Sequence, residues 1–249
     1  MLAEVRFSRI LEILGREGSV SVQQLIEELS ASESTIRRDL NEMDARGLLV
    51  KVHGGAMAKK SKESLAMQDL RISSRMELNA EEKAALGRYA DGLIQPDDFV
   101  FLDAGTTTAQ IIEHLEEKGA VYVTNSIGHV LRLAQKGFRA YILGGECKSV
   151  TEAIVGAETV RGLEKYNFTK CFMGANGVSV DRGFTTPDVR EAIVKMKALK
   201  QSKVRYVLAD SMKFDMISTV RFGEFNEAQV LATENAPDAY KKYENVIII

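Results

Sequence analysis

The chain has 249 residues, enough for one large α/β domain or for a small domain followed by a medium one. Its 33 basic and 35 acidic side chains give a formal net charge of -2, so overall basicity does not indicate nucleic-acid binding, and such a function must rest on local pattern. Two distant cysteines, a charged amino terminus and the lack of long apolar runs exclude a disulfide framework, a signal peptide and a membrane span, and predict a cytoplasmic protein.

Three short helices are predicted in the first fifty residues, because apolar side chains recur there with helical spacing. Ser21, with a glutamine three residues later, and Ser32 have the form of helix N-caps. Gly15 with Gly18, and Gly47, are predicted to end the first and third helices. The predicted buried faces, in chain order, are Phe7, Ile10, Leu11 and Leu14, then Val22, Leu25, Ile26 and Leu29, then Ile36, Leu40 and Met43. Three such helices joined by tight turns indicate a helix-turn-helix.

The third helix carries a polar stripe on a different face from its apolar residues. Its members, spaced at i, i+3, i+4 and i+7, are Ser34, Arg37, Arg38 and Asn41. Arginine can form paired hydrogen bonds to guanine or phosphate, and serine and asparagine can bond bases or backbone, so the stripe can enter a DNA major groove. A solvated helix face is the alternative interpretation of the same pattern.

The next segment favours DNA recognition. Residues 49 to 53 are predicted to form a strand and Gly54-Gly55 a hairpin turn, which together make a wing that faces phosphate or the minor groove. The predicted DNA-binding residues are Ser34, Thr35, Arg37, Arg38, Asn41, Lys51 and His53. Residues 1 to 59 carry eight basic and nine acidic side chains, so a monomer should bind weakly. We therefore expect a homodimer or homotetramer that contacts repeated half-sites.

A linker or surface arm is predicted over residues 59 to 78, between a DNA-binding domain at 1 to 58 and a second domain at 79 to 249. Asn79 with Glu82 is predicted to cap a helix, and its predicted buried stripe is Leu86, Tyr89, Ala90 and Leu93. Beyond Pro96, short apolar runs alternate with helical stretches, which is typical of a doubly wound α/β domain with a mainly parallel sheet. The predicted strands are 99–102, 121–123, 141–143, 171–173, 206–209 and 246–249.

Polar or glycine-rich segments follow five of these strands, and the carboxyl ends of parallel strands gather at one edge of a sheet. Residues 105 to 108 open a predicted helix, where free backbone N–H groups and the helix dipole favour a phosphate, and residues 124 to 126 repeat this arrangement. Asp103 and Asp210 can accept sugar hydroxyl protons, and the candidate counter-charges are Lys148, Lys195 and Lys213. Each group taken singly is more simply a helix cap or a surface lysine. Five polar strand ends in succession favour a site for an anionic, hydroxylated small molecule.

Cofactor and metal chemistry have no support in the sequence. Neither G-x-G-x-x-G nor G-x-x-x-x-G-K-[ST] follows the first strand, so no nucleotide or dinucleotide cofactor is predicted. His53, His114 and His129 are scattered without the spacing of metal ligands, so no metal site is predicted.

A set of motifs is spread over essentially the whole chain: SESTIRRDL, VHGGA, DAGTTT, TNS, GGE, TEAIVG, FMGANG, GFTTPD with Glu191 and Lys195, and ADSMKF. With these motifs the chain resembles the DeoR family of bacterial repressors. The resemblance implies a winged helix-turn-helix followed by a Rossmann-like sensor domain with the parallel sheet of ribose-5-phosphate isomerase. It also implies operator DNA as a partner and a phosphorylated sugar that relieves repression. Thr169 departs from the family, since many relatives have an aspartate there.

A narrower resemblance concerns the effector. The segments GFTTPD, YNFTKCFMGANG and LGGECK are most similar to the fructose-operon repressors of Gram-positive bacteria, which implies fructose 1-phosphate. Carried over by motif, the implied effector-binding residues are Asp103, Gly105, Thr106, Thr107, Thr124, Asn125, Ser126, Gly144, Gly145, Lys148, Gly174, Asn176, Gly177, Thr185, Thr186, Glu191, Lys195 and Lys213. We expect the effector to favour one sensor conformation or assembly and so to change the spacing of the two DNA-binding domains.

Two other classes of function compete with this hypothesis. A sugar-phosphate isomerase would need a general base beside the reacting carbon. Where the isomerases have acidic residues in the glycine turn, this chain has Asn176, an amide that cannot take the proton, although Asp181, Asp188 and Glu191 lie nearby in sequence. We therefore expect a sensor and not an enzyme. A DNA-binding structural protein without effector would leave the polar strand ends unexplained.

Overall fold

The structure is a computed structural model that describes residues 2–58 and 72–249, and only the backbone of Ser73 and Ser74. Most of the predicted linker, residues 59–71, therefore lies outside the described residues. The two described ranges form an amino-terminal region of three helices with a small sheet and a larger α/β region.

The amino-terminal region is a helix-turn-helix with a β-hairpin. Its elements are α1 Ala3–Glu17, β1 Ser19–Ser21, α2 Val22–Leu29, α3 Glu33–Ala45, β2 Leu49–Val52 and β3 Gly55–Ala58. Ser21 Oγ accepts a hydrogen bond from the N–H of Gln24 at 3.0 Å, and Ser32 Oγ accepts one from the N–H of Thr35 at 3.3 Å. Both predicted N-caps are therefore present, and each satisfies an amide that would otherwise lack a partner in the first helical turn.

Helix α1 stops at the second of the two predicted glycines and buries a different residue. It continues through Gly15 to Glu17, and Gly18 is its C-cap with a φ of 77°. Ile13 is buried, whereas Leu11, predicted to be in the core, is exposed. The sequence pattern also missed β1, which pairs antiparallel with β3 and adds a third strand to the hairpin. A three-residue strand is too short to show alternation, so its partner decides its structure.

The wing turn lies one residue earlier than predicted. Val52 pairs with Gly55 across the hairpin, so the two-residue turn is His53-Gly54 and not Gly54-Gly55. Gly54 has a φ of 86°, a conformation that a residue with a Cβ adopts only at a cost. His53 is therefore at the tip of the wing and not in a strand.

The second region begins with α4, which lies inside the segment predicted to be a linker. Its helices are α4 Ile72–Glu77, α5 Ala80–Asp91, α6 Thr106–His114, α7 Ile127–Gln135, α8 Ala157–Glu164, α9 Val189–Lys200 and α10 Asp238–Lys241, with 3-10 turns at Ser211–Lys213 and Phe225–Glu227. Its strands are β4 Phe99–Leu102, β5 Val121–Thr124, β6 Arg139–Ile142, β7 Glu146–Lys148, β8 Ala153–Val155, β9 Phe168–Gly174, β10 Gly177–Ser179, β11 Gly183–Thr186, β12 Ser202–Ala209, β13 Val220–Gly223, β14 Gln229–Ala232 and β15 Val246–Ile248.

A seven-stranded parallel sheet is the centre of this region. Its strand order is β15-β14-β12-β9-β4-β5-β6, and every neighbouring pair is parallel. Counted in chain order, β4, β5 and β6 run outward to one edge while β9, β12, β14 and β15 run to the other, which is the doubly wound order. The predicted α/β fold with a parallel sheet is thus confirmed, and the order reverses between β4 and β9.

Both faces of the sheet are covered, as alternation along its central strands requires. Phe101 and Cys171 belong to the core on one face, whereas Val100 and Phe172 belong to the core on the other. Two small antiparallel sheets, β10-β11-β13 and β7-β8, were not predicted, and neither was β14. Within residues 2–58 and 72–249, no helix is both long and apolar enough to cross a bilayer.

The predicted cap of α5 is wrong. Asn79 precedes the helix with a φ of 52° and makes no side-chain cap, because its amide donates to Asp210 Oδ1 at 2.9 Å. Glu82 accepts hydrogen bonds from Ser211 and so does not complete a capping box. Tyr89, predicted to be buried, is exposed, and Lys83 belongs to the buried face instead. The polar residues at the start of α5 therefore bind the loop after β12.

Candidate functional site

The carboxyl ends of β4 and β9 meet where the strand order reverses, the position at which open α/β sheets bind ligands. Asp103, directly after β4, is 2% exposed and accepts a hydrogen bond through Oδ2 from the N–H of Gly174 at 3.0 Å. Lys195 of α9 donates to the same carboxylate and to the carbonyl of Gly174 at 3.0 Å. Three segments that are distant in sequence thus meet at one buried ion pair.

The loop after β4 opens α6 as an anion-binding turn would. Gly105 is the N-cap residue, and the first intrahelical hydrogen bond runs from the N–H of Ala109 to the carbonyl of Gly105 at 3.0 Å. The amides of Thr106 and Thr107 precede that bond, so they point out of the helix toward the edge formed by the carboxyl ends of the parallel strands, which we call the rim. The hydroxyl of Thr108 lies 2.6 Å from the carbonyl of Asp103, its hydrogen-bond acceptor, and holds the turn closed.

The segment after β5 mainly shapes the rim. Asn125 Oδ1 accepts from the N–H of Ala104 at 3.1 Å, and its amide donates to the carbonyl of Ile154 at 3.2 Å. Thr124 Oγ1 accepts from the N–H of Ser126 at 3.1 Å. These predicted site residues therefore tie the β4 loop to the β8 strand, and their polar atoms already have protein partners.

A second group of buried charges lies beside α9. Lys148, at the end of β7, contacts Glu191 and Asp188, each at 3.0 Å. Thr151 donates to Glu191 at 2.6 Å. Burial opposes ionisation of Asp188, but hydrogen bonds from Arg190 and Lys148 outweigh it and hold the pKa of this carboxyl well below its usual range. Because Glu191 and Lys195 are one turn apart on α9, this group adjoins the Asp103 pair.

The remaining predicted residues line the same rim from the side of β10 and β11. Thr186 Oγ1 donates to Asn176 Oδ1 at 3.2 Å, and Thr185 Oγ1 accepts from the N–H of Ser218 at 2.9 Å. A Cβ on Gly177 would lie 2.2 Å from the carbonyl oxygen of Met216, so only glycine fits there. The carbonyl of Gly144 accepts from Thr159 at 2.9 Å, while Gly144 and Gly145 are exposed at the end of β6.

Sequence reasoning named Lys213 but missed the two cations beside it at the end of β12, Lys83 and Arg75. Lys83 of α5 is 3% exposed, and its ammonium donates to the carbonyl of Arg75. Burial lowers the pKa of Lys83 to about 7, with Asp210 opposing the shift and Lys213 and Arg75 adding to it. Burial likewise lowers the pKa of Lys213, and the Lys213 ammonium has no hydrogen bond or ion pair with any residue in the described ranges. Lys83, Arg75 and Lys213 thus lie close together with the Asp210 carboxylate beside them, and three neighbouring cations favour an anion.

His129 is a further residue that the sequence did not single out. Its ring is 3% exposed, and Nε2 lies 3.2 Å from the carbonyl oxygen of Gly105. Burial lowers the pKa of His129 to about 4, so the ring is neutral at physiological pH and must carry its proton on Nε2 to donate to that carbonyl. His129, on α7, therefore holds the loop after β4 in place through the Gly105 carbonyl. The burial of a histidine on an amphipathic helix is not visible in sequence.

Thr169, the position that departs from the family pattern, lies far from this rim. Its hydroxyl donates to Asp98 Oδ1 at 2.7 Å, and Lys170 pairs with the same carboxylate. Both residues are at the amino end of β9, whereas the site residues follow the carboxyl ends. A carboxylate is thus present at the strand start, but Asp98 supplies it from the segment before β4.

The polar stripe of α3 faces solvent. The stripe residues Ser34, Arg37, Arg38 and Asn41 are exposed, while Thr35 is half-buried. Arg37 pairs with Glu33 at 2.7 Å, an exposed pair one turn apart. Behind the stripe, Arg6 binds the buried Asp39 through two hydrogen bonds of 2.6 and 2.8 Å, which fixes α3 on α1. The helix therefore presents its polar side chains from a rigid base.

The wing residues are placed differently. Lys51 is exposed on β2, and its backbone N–H donates to Asp44 at 3.0 Å. His53 Nε2 lies 3.0 Å from Glu81 Oε1 of α5, so the tip of the wing contacts the α/β region. No group of three or more potential metal-binding side chains occurs in the part of the chain that the structure describes.

Family comparisons match both regions. The DeoR-like helix-turn-helix domain model matches residues 6–62, and the DeoR C terminal sensor domain model matches residues 78–235. A protein of Bacillus subtilis named "Uncharacterized HTH-type transcriptional regulator FruR" is 39% identical over 250 residues, covering 100% of this chain and 98% of the relative. A lactose phosphotransferase system repressor of Staphylococcus epidermidis is 33% identical over 233 residues, covering 92% and 91%.

Solved structures give more distant matches. A ribose 5-phosphate isomerase of Methanocaldococcus jannaschii aligns with a TM-score of 0.42 at 17% identity, covering 55% of each chain. The full-length sorbitol operon regulator SorC of Klebsiella pneumoniae aligns with a TM-score of 0.38 at 11% identity, covering 86% of this chain and 96% of that one.

Proposed function

The chain belongs to the DeoR family of DNA-binding transcriptional regulators, and on that premise we propose that it represses a sugar-utilisation operon until a phosphorylated sugar releases it from operator DNA. The proposed effector is fructose 1-phosphate. The domains proposed for these tasks are a DNA-binding domain at 1–58 and a sensor domain at 79–249, joined by 59–78.

The observation that carries the proposal is the composition of the rim at the sheet's reversal point. Outward amides of Thr106 and Thr107 and the ammonium of Lys213 suit a phosphate, while the Asp103 carboxylate, the Gly174 to Gly177 turn and Glu191 suit sugar hydroxyls. Motif similarity to fructose-operon repressors supports fructose 1-phosphate within this class. The 33% identical relative that is named for a sugar phosphotransferase system supports a sugar-related operon.

For the DNA-binding half, the exposed α3 stripe supports binding in a major groove. Its two arginines project from a helix that the Arg6–Asp39 pair fixes in place. Neither arginine is needed for the core, since both are exposed. The near balance of charge in residues 1 to 59 supports a homodimer or homotetramer in which two domains bind half-sites together.

We propose sensing and not catalysis for the rim. Glu191 accepts hydrogen bonds from Lys148 and Thr151, and the lowered pKa of Asp188 makes it a weak base. Asn176, in the glycine turn, cannot take a proton. An assay of the purified protein with ribose 5-phosphate and fructose 6-phosphate should therefore detect no isomerised product.

The proposal is tested by thermal melting of the full-length protein with fructose 1-phosphate, fructose 6-phosphate, tagatose 6-phosphate, glycerol 3-phosphate and free fructose. At one hundred times the dissociation constant, the effector should stabilise the folded protein by about 2.7 kcal/mol. Fructose 1-phosphate is expected to stabilise most and to release the protein from the upstream DNA of its operon in a gel shift. Stabilisation by free fructose alone would contradict a phosphate site.

A further inference from the structure

The tip of the wing rests against the start of the sensor region, backbone to backbone. The N–H of Asn79 donates to the carbonyl of His53 at 3.1 Å. A Cβ on Gly54 would lie 2.5 Å from the carbonyl oxygen of Glu77, so the end of α4 leaves room for glycine alone. His53 Nε2 also reaches Glu81 at 3.0 Å. The wing is therefore seated on the segment that joins α4 to α5.

Apolar side chains extend this contact to the loop after β12. Val52 and Met57 of the wing form one buried cluster with Leu78 and Met216, against which Met212 also packs. A cavity of about 410 Å³ lies between the wing and this loop. Methionine side chains adapt to irregular spaces at small cost, so the wing can change its seat without unfolding either region.

The same loop carries Lys213, one of the proposed effector-binding residues. Asp210 Oδ1 accepts hydrogen bonds from the side-chain amide of Asn79 at 2.9 Å and from the N–H of Met212 at 3.2 Å. The N–H of Lys213 donates to the carbonyl of Asp210 at 3.0 Å. Glu82 accepts two further hydrogen bonds from Ser211, which ties the loop to α5. A short chain of contacts thus runs from Lys213 through Asp210 and Asn79 to the wing.

We propose that residues 210–216 couple the two regions: one side of this loop binds the effector phosphate through Lys213, and the other side, through Asn79, holds the wing. This inference rests on the proposed function. A phosphate that binds the Lys213 ammonium moves the loop, and the hydrogen bond from Asn79 to Asp210 transmits that movement. The wing then leaves the position in which it presents Lys51 to DNA. A ligand shifts such an equilibrium only by its differential affinity for the two positions, which the Lys213 contact supplies.

Asn79→Gly is the variant that separates coupling from binding. Glycine accepts the φ of 52° and keeps the backbone N–H that reaches His53, so only the amide bond to Asp210 is lost. Asn167→Gly is the control, because Asn167 is an exposed asparagine in a loop of the same region. Gly54→Ala is a second variant. Its added methyl group displaces the wing from α4, and the substitution lies in the amino-terminal region, so the sensor region is unchanged.

Two measurements are made on full-length protein. Hydrogen exchange of the peptide covering 48–58, without ligand, should be about tenfold faster in Asn79→Gly and in Gly54→Ala than in the wild type or Asn167→Gly, because a lost net hydrogen bond of about 1.4 kcal/mol corresponds to a factor of ten. Saturating fructose 1-phosphate should weaken operator binding of the wild type by about a hundredfold, within the usual range of coupling energies, and that of Asn79→Gly by less than about threefold. Thermal stabilisation by the same ligand should remain.

Each result decides the inference. Unchanged exchange of the wing in both variants shows that the wing is not held by this contact and overturns the proposal. The same is true if Asn79→Gly binds fructose 1-phosphate and still releases operator DNA as the wild type does. If the wild type is not stabilised by fructose 1-phosphate, the proposed effector is wrong, while the exchange measurement without ligand still decides whether the wing is seated.

Discussion

The two polar surfaces of this protein, the α3 stripe and the rim of the sheet, differ in whether their charges already have partners. The side chain of Arg37 is 54% exposed and pairs only with an exposed glutamate, whereas the side chains of Lys195 and Asp103 are 6% and 2% exposed and pair with each other. Exposed pairs contribute little to stability, so the α3 arginines are available to DNA without cost to the fold. Buried pairs are part of the fold, so a ligand at the rim must rearrange contacts that already exist.

This difference predicts separate consequences for DNA binding and for stability. Substitutions in the stripe should change DNA affinity and leave unfolding unchanged. Substitutions at the rim should change both stability and ligand response. On the proposed function, the α3 stripe binds DNA by adding contacts and the rim binds its ligand by exchanging them, so only the α/β region has two arrangements.

The largest effect is expected from Arg37→Ala combined with Arg38→Ala. Each arginine that contacts a base contributes about 1–3 kcal/mol, so the double variant should bind operator DNA roughly a thousandfold more weakly in a gel shift at moderate salt. Its free energy of unfolding should change by less than about 0.5 kcal/mol, because both side chains are exposed.

A control for the double variant is Arg132→Ala, a half-buried arginine on α7 of the sensor region that pairs with Glu113. Its removal should leave operator affinity unchanged. Equal loss of DNA binding in the two variants would mean that general charge, and not the α3 stripe, attracts DNA.

Lys195→Met should have the next largest effect, this time on stability. The substitution leaves Asp103 buried with only the N–H of Gly174 as a partner, and an uncompensated buried charge costs about 3 kcal/mol. Urea unfolding of the purified protein measures the change.

Lys197→Met is the control on the same helix, since Lys197 pairs with the exposed Glu164 at 3.3 Å. Its loss should cost less than about 1 kcal/mol. An equal loss of unfolding free energy in the two variants would show that the buried and exposed ion pairs contribute alike to stability.

Ligand affinity should depend on pH through the cation cluster at the rim. Burial lowers the pKa of Lys83 to about 7, whereas an anion nearby raises it, so phosphate binding is accompanied by proton uptake. The lysine is protonated below its folded pKa and neutral above it. Affinity for the sugar phosphate should therefore fall as pH rises above about 7, by at most about tenfold per pH unit. The charged groups that face the same ammonium are Asp210, Glu82, Arg75 and Lys213.

Isothermal titration between pH 6.5 and 8.5, in buffers of different ionisation enthalpy, measures both affinity and proton uptake. Lys83→Met keeps the length of the side chain without its charge, so it should bind more weakly at pH 6.5 and show a flat profile above pH 7. A wild-type profile that is equally flat would place the phosphate away from Lys83.

The α3 stripe and the rim loops could be predicted from sequence for the same reason. Both are polar segments whose positions follow from the spacing of the apolar residues around them. The stripe of α3 follows from helical spacing, and the rim follows from what comes after each strand. Fold class was predictable because the strands β4, β9 and β12 are apolar on both faces, as a covered parallel sheet requires.

What sequence could not predict depends on partners distant in the chain. Lys83 has the pattern of a solvent-facing lysine on an amphipathic helix, and only the packing of α5 against the β12 loop buries it. Asn79 has the pattern of an N-cap, but the nearby Asp210 takes its amide and leaves the helix uncapped. β10, β11 and β13 are too short to show alternation, and they are strands because they pair with each other.

The smallest effect is expected from Ser32→Ala, at the start of α3. Ser32 Oγ accepts from the N–H of Thr35 at 3.3 Å, and loss of an N-cap costs about 1 kcal/mol. Ser8→Ala is the matched control, because Ser8 lies within α1 and donates to the carbonyl of Glu4 at 3.1 Å, where alanine is the better helix former. Hydrogen exchange of α3 amides should accelerate about fivefold in Ser32→Ala and should not change in Ser8→Ala. We expect the cap to act only by fixing the helix, so operator affinity should fall by less than the loss of a stripe arginine causes. A larger loss of DNA binding than of exchange protection would show that Ser32 itself contacts DNA. The DNA-binding stripe of α3 would then begin at Ser32 and not at Ser34.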